Sequence, residues 1–406
     1  MPESQNKILQ QFDGLVAEVA DAAIEVRRHL HRNPETGWKE YKTQAYLESW
    51  LTHRGLSPKR AAETGLVVNI GTGENPILYR ADIDALPIQD TKQQGQAKCV
   101  SHVPGVSHAC GHDLHSSVAA GLASVLHQME DQLPAPVRII FQPAEEVIPS
   151  GAAAMRKEGL FDDIRAALAL HTDPIREVGS IGVRIGQLTA TSDTYMITVH
   201  GESGHSARPH LAKDAILASS DVIRALYNLV SQNINPLEPA VLNVGMISGG
   251  DADNVIAGEI KLSGVVRTLS AENRKLMHKE IRVTAEAAAR IHGCSATIDF
   301  RLGSPPIVND PRIHELISET AEGILGEPNV HAIPDPSTGA EDFGQISACA
   351  PSYMIRLGVR RPGGPVMHLH TEGFDLDEKA IEVGMRVMGR TILRVHELDF
   401  SEDLTA

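Results

Sequence analysis

The residues able to do chemistry fall into five short clusters. They are Arg80-Ala81-Asp82-Ile83-Asp84, His108-Ala109-Cys110-Gly111-His112-Asp113, Gln142-Pro143-Ala144-Glu145-Glu146, His171 after an Ala/Leu run, and Met367-His368-Leu369-His370. Thiol, imidazole and carboxylate donors together suit a divalent cation such as zinc, manganese or cobalt. Cys110 and His112 are two residues apart, so in an extended segment both side chains point the same way and reach one metal pair, with Gly111 leaving the backbone free. Glu145 and Glu146 are adjacent and so point apart: one can bind metal while the other faces substrate and takes a proton from water. Each cluster also has an ordinary reading. His108 or His115 alone is a packed or capping histidine, Asp82 and Asp84 alone cap a turn, and Glu145-Glu146 alone is a solvated loop. Their co-occurrence at the ends of expected strands selects metal chemistry.

Apolar runs place those strands at residues 66–70, 77–80, 137–141 and 166–170, with helices at 116–129 and 151–158 between them. Asp82 and Asp84, the two glutamates and His171 then each follow a strand. Strands alternating with helices imply an α/β sheet with a substantial parallel part, whose ligand sites gather at the carboxyl ends of the strands. Upstream, residues 21–56 read as two helices broken at Asn33-Pro34-Glu35-Thr36-Gly37. The rhythm changes between residues 191 and 301. Strand 195–199, helix 214–230, strands 241–247 and 259–266, helix Ala271–Ile291 and strand 296–300 give the β-α-β-β-α-β order of a ferredoxin-like unit. Helices at 311–324 and 378–396 around a strand at 353–357 resume the first pattern. The expected architecture is a mixed α/β catalytic domain in two parts, 1–188 and 304–406, interrupted by a lid/dimerisation domain at 189–303.

Composition narrows the function classes. The 406 residues carry 37 Lys+Arg against 52 Asp+Glu, a formal charge of −15, and 42% are hydrophobic. That apolar content excludes a disordered acidic tail. The acidic balance argues against a non-specific nucleic-acid binder, and the absence of a ~20-residue apolar run argues against a membrane-spanning helix. The first residues lack the apolar core of a secretory signal. Cys99, Cys110, Cys294 and Cys349 form no CxxC pair and are too sparse to staple a chain of this length. A soluble, cytoplasmic protein with no nucleic-acid or membrane partner is expected.

Longer stretches carry a resemblance. Arg27-Arg28-His29-Leu30-His31-Arg32-Asn33-Pro34-Glu35, Arg80-Ala-Asp-Ile-Asp-Ala-Leu-Pro87, His108-Ala-Cys-Gly-His-Asp113, Phe141-Gln-Pro-Ala-Glu-Glu146, Gly204-His-Ser-Ala-Arg-Pro-His210, Asn254-Val-Ile and Gly339-Ala-Glu-Asp-Phe343 are the motifs concerned. Together they resemble the aminoacylase/carboxypeptidase-G-type metallohydrolases, in particular the amidohydrolase branch of hippurate hydrolases and indole-3-acetyl-amino-acid hydrolases. The resemblance covers most of the chain. It implies two divalent metal ions per subunit, drawn from zinc, manganese, cobalt or nickel, held by Cys110, His112, Glu146, His171 and His370. It implies Glu145 as general base and acid, and Asp84 as a carboxylate behind the ligands that orients one of them and raises its basicity. On the inserted domain, His205 matches a histidine that stabilises the oxyanion, often across a dimer interface, while Asn254 and Arg267 match positions that hold the substrate's carboxylate. Thr371-Glu372-Gly373 and Glu202 depart from the family pattern, which bears on specificity and leaves the ligands untouched.

The expected reaction is hydrolysis of an N-acyl amino acid or similar small carboxylate-bearing amide by metal-activated water, with Glu145 as base. The expected assembly is a homodimer formed through the inserted domain, closing about a hinge at residues 187–190 and 302–306. Two readings compete. One is a cysteine amidase with Cys110 as nucleophile and a nearby histidine as base. The other is a non-catalytic metal-stabilised binding module, which would have no need of the second carboxylate at Glu145.

Overall fold

The strand Ile77–Asp82 is buried at every residue and has a parallel neighbour on each side, Val137–Gln142 and Ala166–Glu177. Ser352–Arg360 extends the parallel run beyond Ala166–Glu177. These four form the centre of a mixed eight-stranded sheet in the order Lys59–Ala61, Gly65–Ile70, Val137–Gln142, Ile77–Asp82, Ala166–Glu177, Ser352–Arg360, Ile181–Val183, Val330–Ala332. The central strands begin as continuous apolar runs because both faces are covered. Tyr79, Ile139, Leu168 and Ile355 face a core shared with the helices Glu3–Arg32, His112–Gln128 and Lys379–Arg394. Leu78, Ile140, Ala167 and Met354 face a second cluster with Met155, Phe161 and Phe343.

This computed structural model describes residues 3–92 and 98–401. The first helix starts at Glu3 instead of residue 21, since Ile8, Leu9, Phe12, Leu15, Val16 and Val19 already follow the helical period. The three-residue strands Lys59–Ala61, Ile181–Val183 and Val330–Ala332 are too short to show any period, and sequence reading misses them.

By internal contacts the chain forms two units, Met1–Leu188 with Ile307–Asp335 and Asp342–Ala406, and Thr189–Pro306 with Pro336–Glu341. The second unit has a four-stranded antiparallel sheet in the order Ala240–Gly249, Glu259–Thr268, Asp193–His200, Ser295–Arg301. Its helices, Ala215–Asn233 and Ala271–Ile291, are capped by Asp214 and Ser270, whose side chains accept amide protons from the first turn. Strand order and crossings are those of a ferredoxin-like unit, and Ile197, Val222, Leu226, Met277 and Ile281 form its own core. The short return Pro336–Glu341 belongs here because Arg267 Nη1 donates to Thr338 O at 2.9 Å and Ala190 N to Gly339 O at 3.0 Å. No apolar pattern in the sequence marks that return. Among the described residues, no helix is long and apolar enough to cross a membrane.

Candidate metal centre

The chain leaves Val137–Gln142 through a turn that decides where two carboxylates go. Ala144 has φ 51°, in the left-handed region that non-glycine residues seldom occupy. Three hydrogen bonds hold the turn: Ala144 N donates to Glu40 Oε1 at 2.8 Å, Gly151 N to Ala144 O at 3.0 Å, and Glu146 N to Asp84 Oδ2 at 3.1 Å. The segment is therefore not extended, and Glu145 and Glu146 do not point apart as their adjacency suggests. One oxygen of each lies within 4.8 Å of the other and of a ring nitrogen of His112. Glu40 is fully buried, also accepts from Thr64 Oγ1 at 2.7 Å, and is pushed up by burial to a pKa of about 7.

Cys110 and His112 converge for a different reason from their spacing in an extended strand. Gly111, at φ 88°, caps the helix that His112 opens. A methyl group there would lie 2.6 Å from Thr172 Cγ2, so both the conformation and the space require glycine. Thr172 Oγ1 donates to Cys110 O at 2.8 Å and fixes this turn against the neighbouring strand. His171 lies inside Ala166–Glu177, opposite Arg356, and not after its end. His370, a second left-handed residue at φ 60°, donates its amide to Ala109 O at 2.8 Å.

Three imidazoles turn the same nitrogen inwards. His171 Nδ1 donates to Thr172 O at 2.9 Å, which leaves Nε2 3.6 Å from Cys110 Sγ. His112 Nδ1 donates to Asp84 O at 2.9 Å, and Asp84 Oδ1 lies 3.3 Å from the same nitrogen. His112 Nε2, buried and without a hydrogen-bond partner, is 4.0 Å from Glu146 Oε1. His370 Nε2 is 3.3 Å from Cys110 Sγ and 3.1 Å from Glu146 Oε1. A buried nitrogen with no partner is costly, and oriented Nε2 atoms around a thiol and a carboxylate are the donor set that a divalent cation needs. Burial pushes the Cys110 thiol up to about 12, and burial followed by Arg356 holds His171 well below its ordinary value. Burial alone would lower His112, but Asp82 and Cys110 raise it well above normal. The Asp82 carboxylate that favours a proton on His112 would equally favour a cation there.

Behind these donors lies a layer whose residues the sequence shows but whose contacts it does not. His115 Nδ1 is 2.6 Å from Asp82 Oδ1, and its Nε2 accepts the Thr172 amide at 2.9 Å, so neither ring nitrogen is spare for a metal. Burial would raise the Asp82 carboxyl, yet His112, Arg80 and His115 together hold it well below the carboxylate range. Arg80, itself buried, bonds Asp82 at 2.7 Å and Asp342 at 2.7 Å. His108 is buried without a hydrogen bond on either nitrogen, and burial lowers it to about 3. The spacing of His112 and His115, one helical turn apart, was the available sign that His115 faces the same way; nothing local marks Glu40 or Thr172.

In the second unit, His205 and Asn254 come together on the ribbon of Gly204–His205 and Val255–Ile256, where Val255 pairs with His205. Ala207 N donates to His205 Nδ1 at 3.1 Å, which leaves the ring proton on Nε2 as a donor. Arg267 lies on the larger sheet of that unit, with its guanidinium bonded to Thr338 O.

Comparison with known proteins identifies the family. Residues 78–394 match peptidase family M20/M25/M40. An N-acetyldiaminopimelate deacetylase of Bacillus licheniformis is 36% identical over 91% of this chain and 97% of its own length. An IAA-amino acid hydrolase of Arabidopsis thaliana is 32% identical over 92% and 86%. A crystal structure of a Bacillus subtilis protein, described as a dinuclear metal binding peptidase of family M20, superposes with a TM-score of 0.80 at 30% identity, covering 94% of this chain and 99% of that one. Matches that run nearly end to end, over the strands and turns just described, place this chain in peptidase family M20/M25/M40, within its branch of metal-dependent amidohydrolases.

Proposed function

We propose that this protein hydrolyses the amide bond of N-acyl amino acids or similar small carboxylate-bearing amides. The observation that carries the reading is the convergence of three inward Nε2 atoms, the Cys110 thiol and Glu146, with a second carboxylate, Glu145, beside them. Cys110, His112, Glu146, His171 and His370 would hold two divalent ions per subunit, of zinc, manganese, cobalt or nickel. When bound, such a pair supplies Lewis-acid polarisation of the amide carbonyl and lowers the pKa of water. Glu145 takes the water's proton and passes it to the leaving nitrogen. Asp84 orients His112 through its carbonyl and fixes the Glu146 amide through its carboxylate. His205 Nε2–H donates to the developing oxyanion, and Asn254 and Arg267 take the substrate's carboxylate. The deacetylase and the IAA-amino acid hydrolase among the relatives support this substrate class. Amine release should appear with at least one member of a panel of N-acyl amino acids when zinc, manganese, cobalt or nickel is supplied. No turnover across panel and metals would overturn the reading.

A homodimer through the inserted unit is part of this proposal. Met246 and Ile247 are 69% and 58% exposed on the edge strand Ala240–Gly249, and Ile216, Leu217 and Tyr227 are exposed on Ala215–Asn233. An apolar sheet edge of this kind invites pairing with a second copy. Closure about residues 187–190 and 302–306 would complete the site, with His205 serving its own subunit or its neighbour's. Inactive Glu145→Gln and His205→Ala proteins, mixed after subunit exchange is verified, should regain activity, because one composite site per mixed dimer is intact if His205 acts in trans. No recovery would assign it to its own subunit. The four cysteines, all free, fit a cytoplasmic setting.

A further inference from the structure

An apolar rim begins at the residue after Glu146. Val147 is 38% and Ile148 48% exposed, and the half-buried Trp38 is tied to the same loop, its Nε1 donating to Pro149 O at 2.8 Å. The two segments also meet at Gly37. A methyl group there would lie 2.8 Å from Val147 Cγ2, 3.3 Å from Ala144 Cα and 3.4 Å from Asp84 Oδ2. Val147 therefore packs one methyl group inward while the rest of it faces solvent, against the same Asp84 and Ala144 that fix the two catalytic-loop glutamates.

We propose that Trp38, Val147 and Ile148 form the acyl-side wall of the site, and that the enzyme prefers N-acyl amino acids with a bulky apolar or aromatic acyl group over N-acetyl ones. This rests on the amidohydrolase reading above. The acyl group is bonded directly to the carbonyl carbon that would react beside Glu145 and Glu146, and Val147 continues their turn, its side chain meeting Gly37 on the side where Asp84 holds the Glu146 amide. The amino-acid half of the substrate carries a carboxylate and needs cations or amide donors, and the side chains of Val147, Ile148 and Pro149 supply none. An apolar acyl group covering these side chains removes apolar surface from water on both partners, whereas an acetyl group is too short to do so. Trp38 adds a flat face suited to an aromatic ring, held in place by its indole hydrogen bond.

The test compares kcat/KM for the N-benzoyl and N-acetyl derivatives of one amino acid, with the metal-loaded enzyme. The parent protein should favour the benzoyl substrate by roughly tenfold or more. The Val147→Ser/Ile148→Ser variant should cut that ratio by about tenfold, mostly through KM for the benzoyl substrate, the size expected when a few methyl groups of an apolar pocket are lost. Ile291→Ser, at a 76% exposed apolar residue of the other unit, should leave the ratio where it was. An unchanged ratio in the double variant, or an equal loss with both substrates, overturns the acyl-wall assignment alone. Failure of the parent to turn over either substrate overturns the N-acyl amino acid reading, and this assignment with it.

Discussion

Glu145→Gln should lower kcat by roughly 100- to 10,000-fold, the range that a positioned general acid–base supplies, while metal content and KM stay near those of the parent. Glutamine nearly matches glutamate in shape and keeps one acceptor oxygen, but it cannot take up a proton and release it to a leaving nitrogen. The assigned donors around the metal position, Cys110, His112, Glu146, His171 and His370, are untouched by the change. The turn that aims residue 145 is also untouched, because its hydrogen bonds run through the backbone of Ala144 and Glu146 to Glu40 and Asp84. Loss of turnover with full occupancy therefore separates proton transfer from metal binding. A glutamine variant with near-parental kcat and full metal content would sink this role for Glu145. Substrate KM belongs in the same experiment, since a rise in KM with kcat unchanged would instead place Glu145 in uniform substrate binding.

Removing the metals, or the thiol that helps to hold them, should have a comparably large effect. Dialysis against a chelator should abolish amide hydrolysis, and adding back the divalent ion should restore it. Cys110→Ser should lower metal affinity by at least about 100-fold, the upper range seen when partners behind a ligand are lost, and activity should fall in step with occupancy. With cobalt in the site, a bound thiolate gives a sulfur-to-metal charge-transfer band that the serine variant must lack. If Cys110 were instead a nucleophile, the chelated enzyme would keep its activity and the band would be absent from the parent. The structure already weighs against that alternative. Burial pushes the thiol up to about 12, and a nucleophilic cysteine needs its pKa lowered. Metal binding reverses the situation because a coordinating thiol gives up its proton.

How far the sequence reached depends on how local each arrangement is. Cys110 and His112 share one turn, so their convergence could be read from spacing, even though the reason is a left-handed Gly111 at a helix start and not an extended strand. The positions of the central strands were legible because fully buried parallel strands are unbroken apolar runs, but the end of Ala166–Glu177 was not, since the strand runs on through His171 and the polar residues after it. The geometry of Glu145 and Glu146 was not, because it hangs on the left-handed Ala144, and that conformation is secured by Glu40, 104 residues away. His115 could be read only as a bystander or a ligand. Its actual use, orienting Asp82 and accepting the Thr172 amide, needs the third dimension. Arg80 shows the same limit, since one of its carboxylate partners is Asp342, 262 residues on. The ferredoxin-like unit was readable because its order of elements is contiguous in the chain, but the return of Pro336–Glu341 to it was not.

The insertion between Ala166–Glu177 and Ser352–Arg360 also governs how the protein is made. Four of the five proposed ligands are synthesised by residue 171, and the fifth, His370, follows roughly 200 residues later, about 10 to 40 s at ordinary translation rates. Until Ser352–Arg360 emerges, Ala166–Glu177 can pair with Ile77–Asp82 on one side while its other edge stays open in the middle of what becomes a buried sheet. An apolar edge of that length is a template for pairing with other nascent chains. Metal cannot close the site during this interval, because the set of ligands is still incomplete. The inserted unit, whose sheet and helices all lie between Asp193 and Arg301 and whose core is separate, is free to fold while the strand waits. Biosynthesis thus passes through a partly folded chain with a finished insertion and an unfinished host, and yield in the cell depends on how well that open edge is shielded.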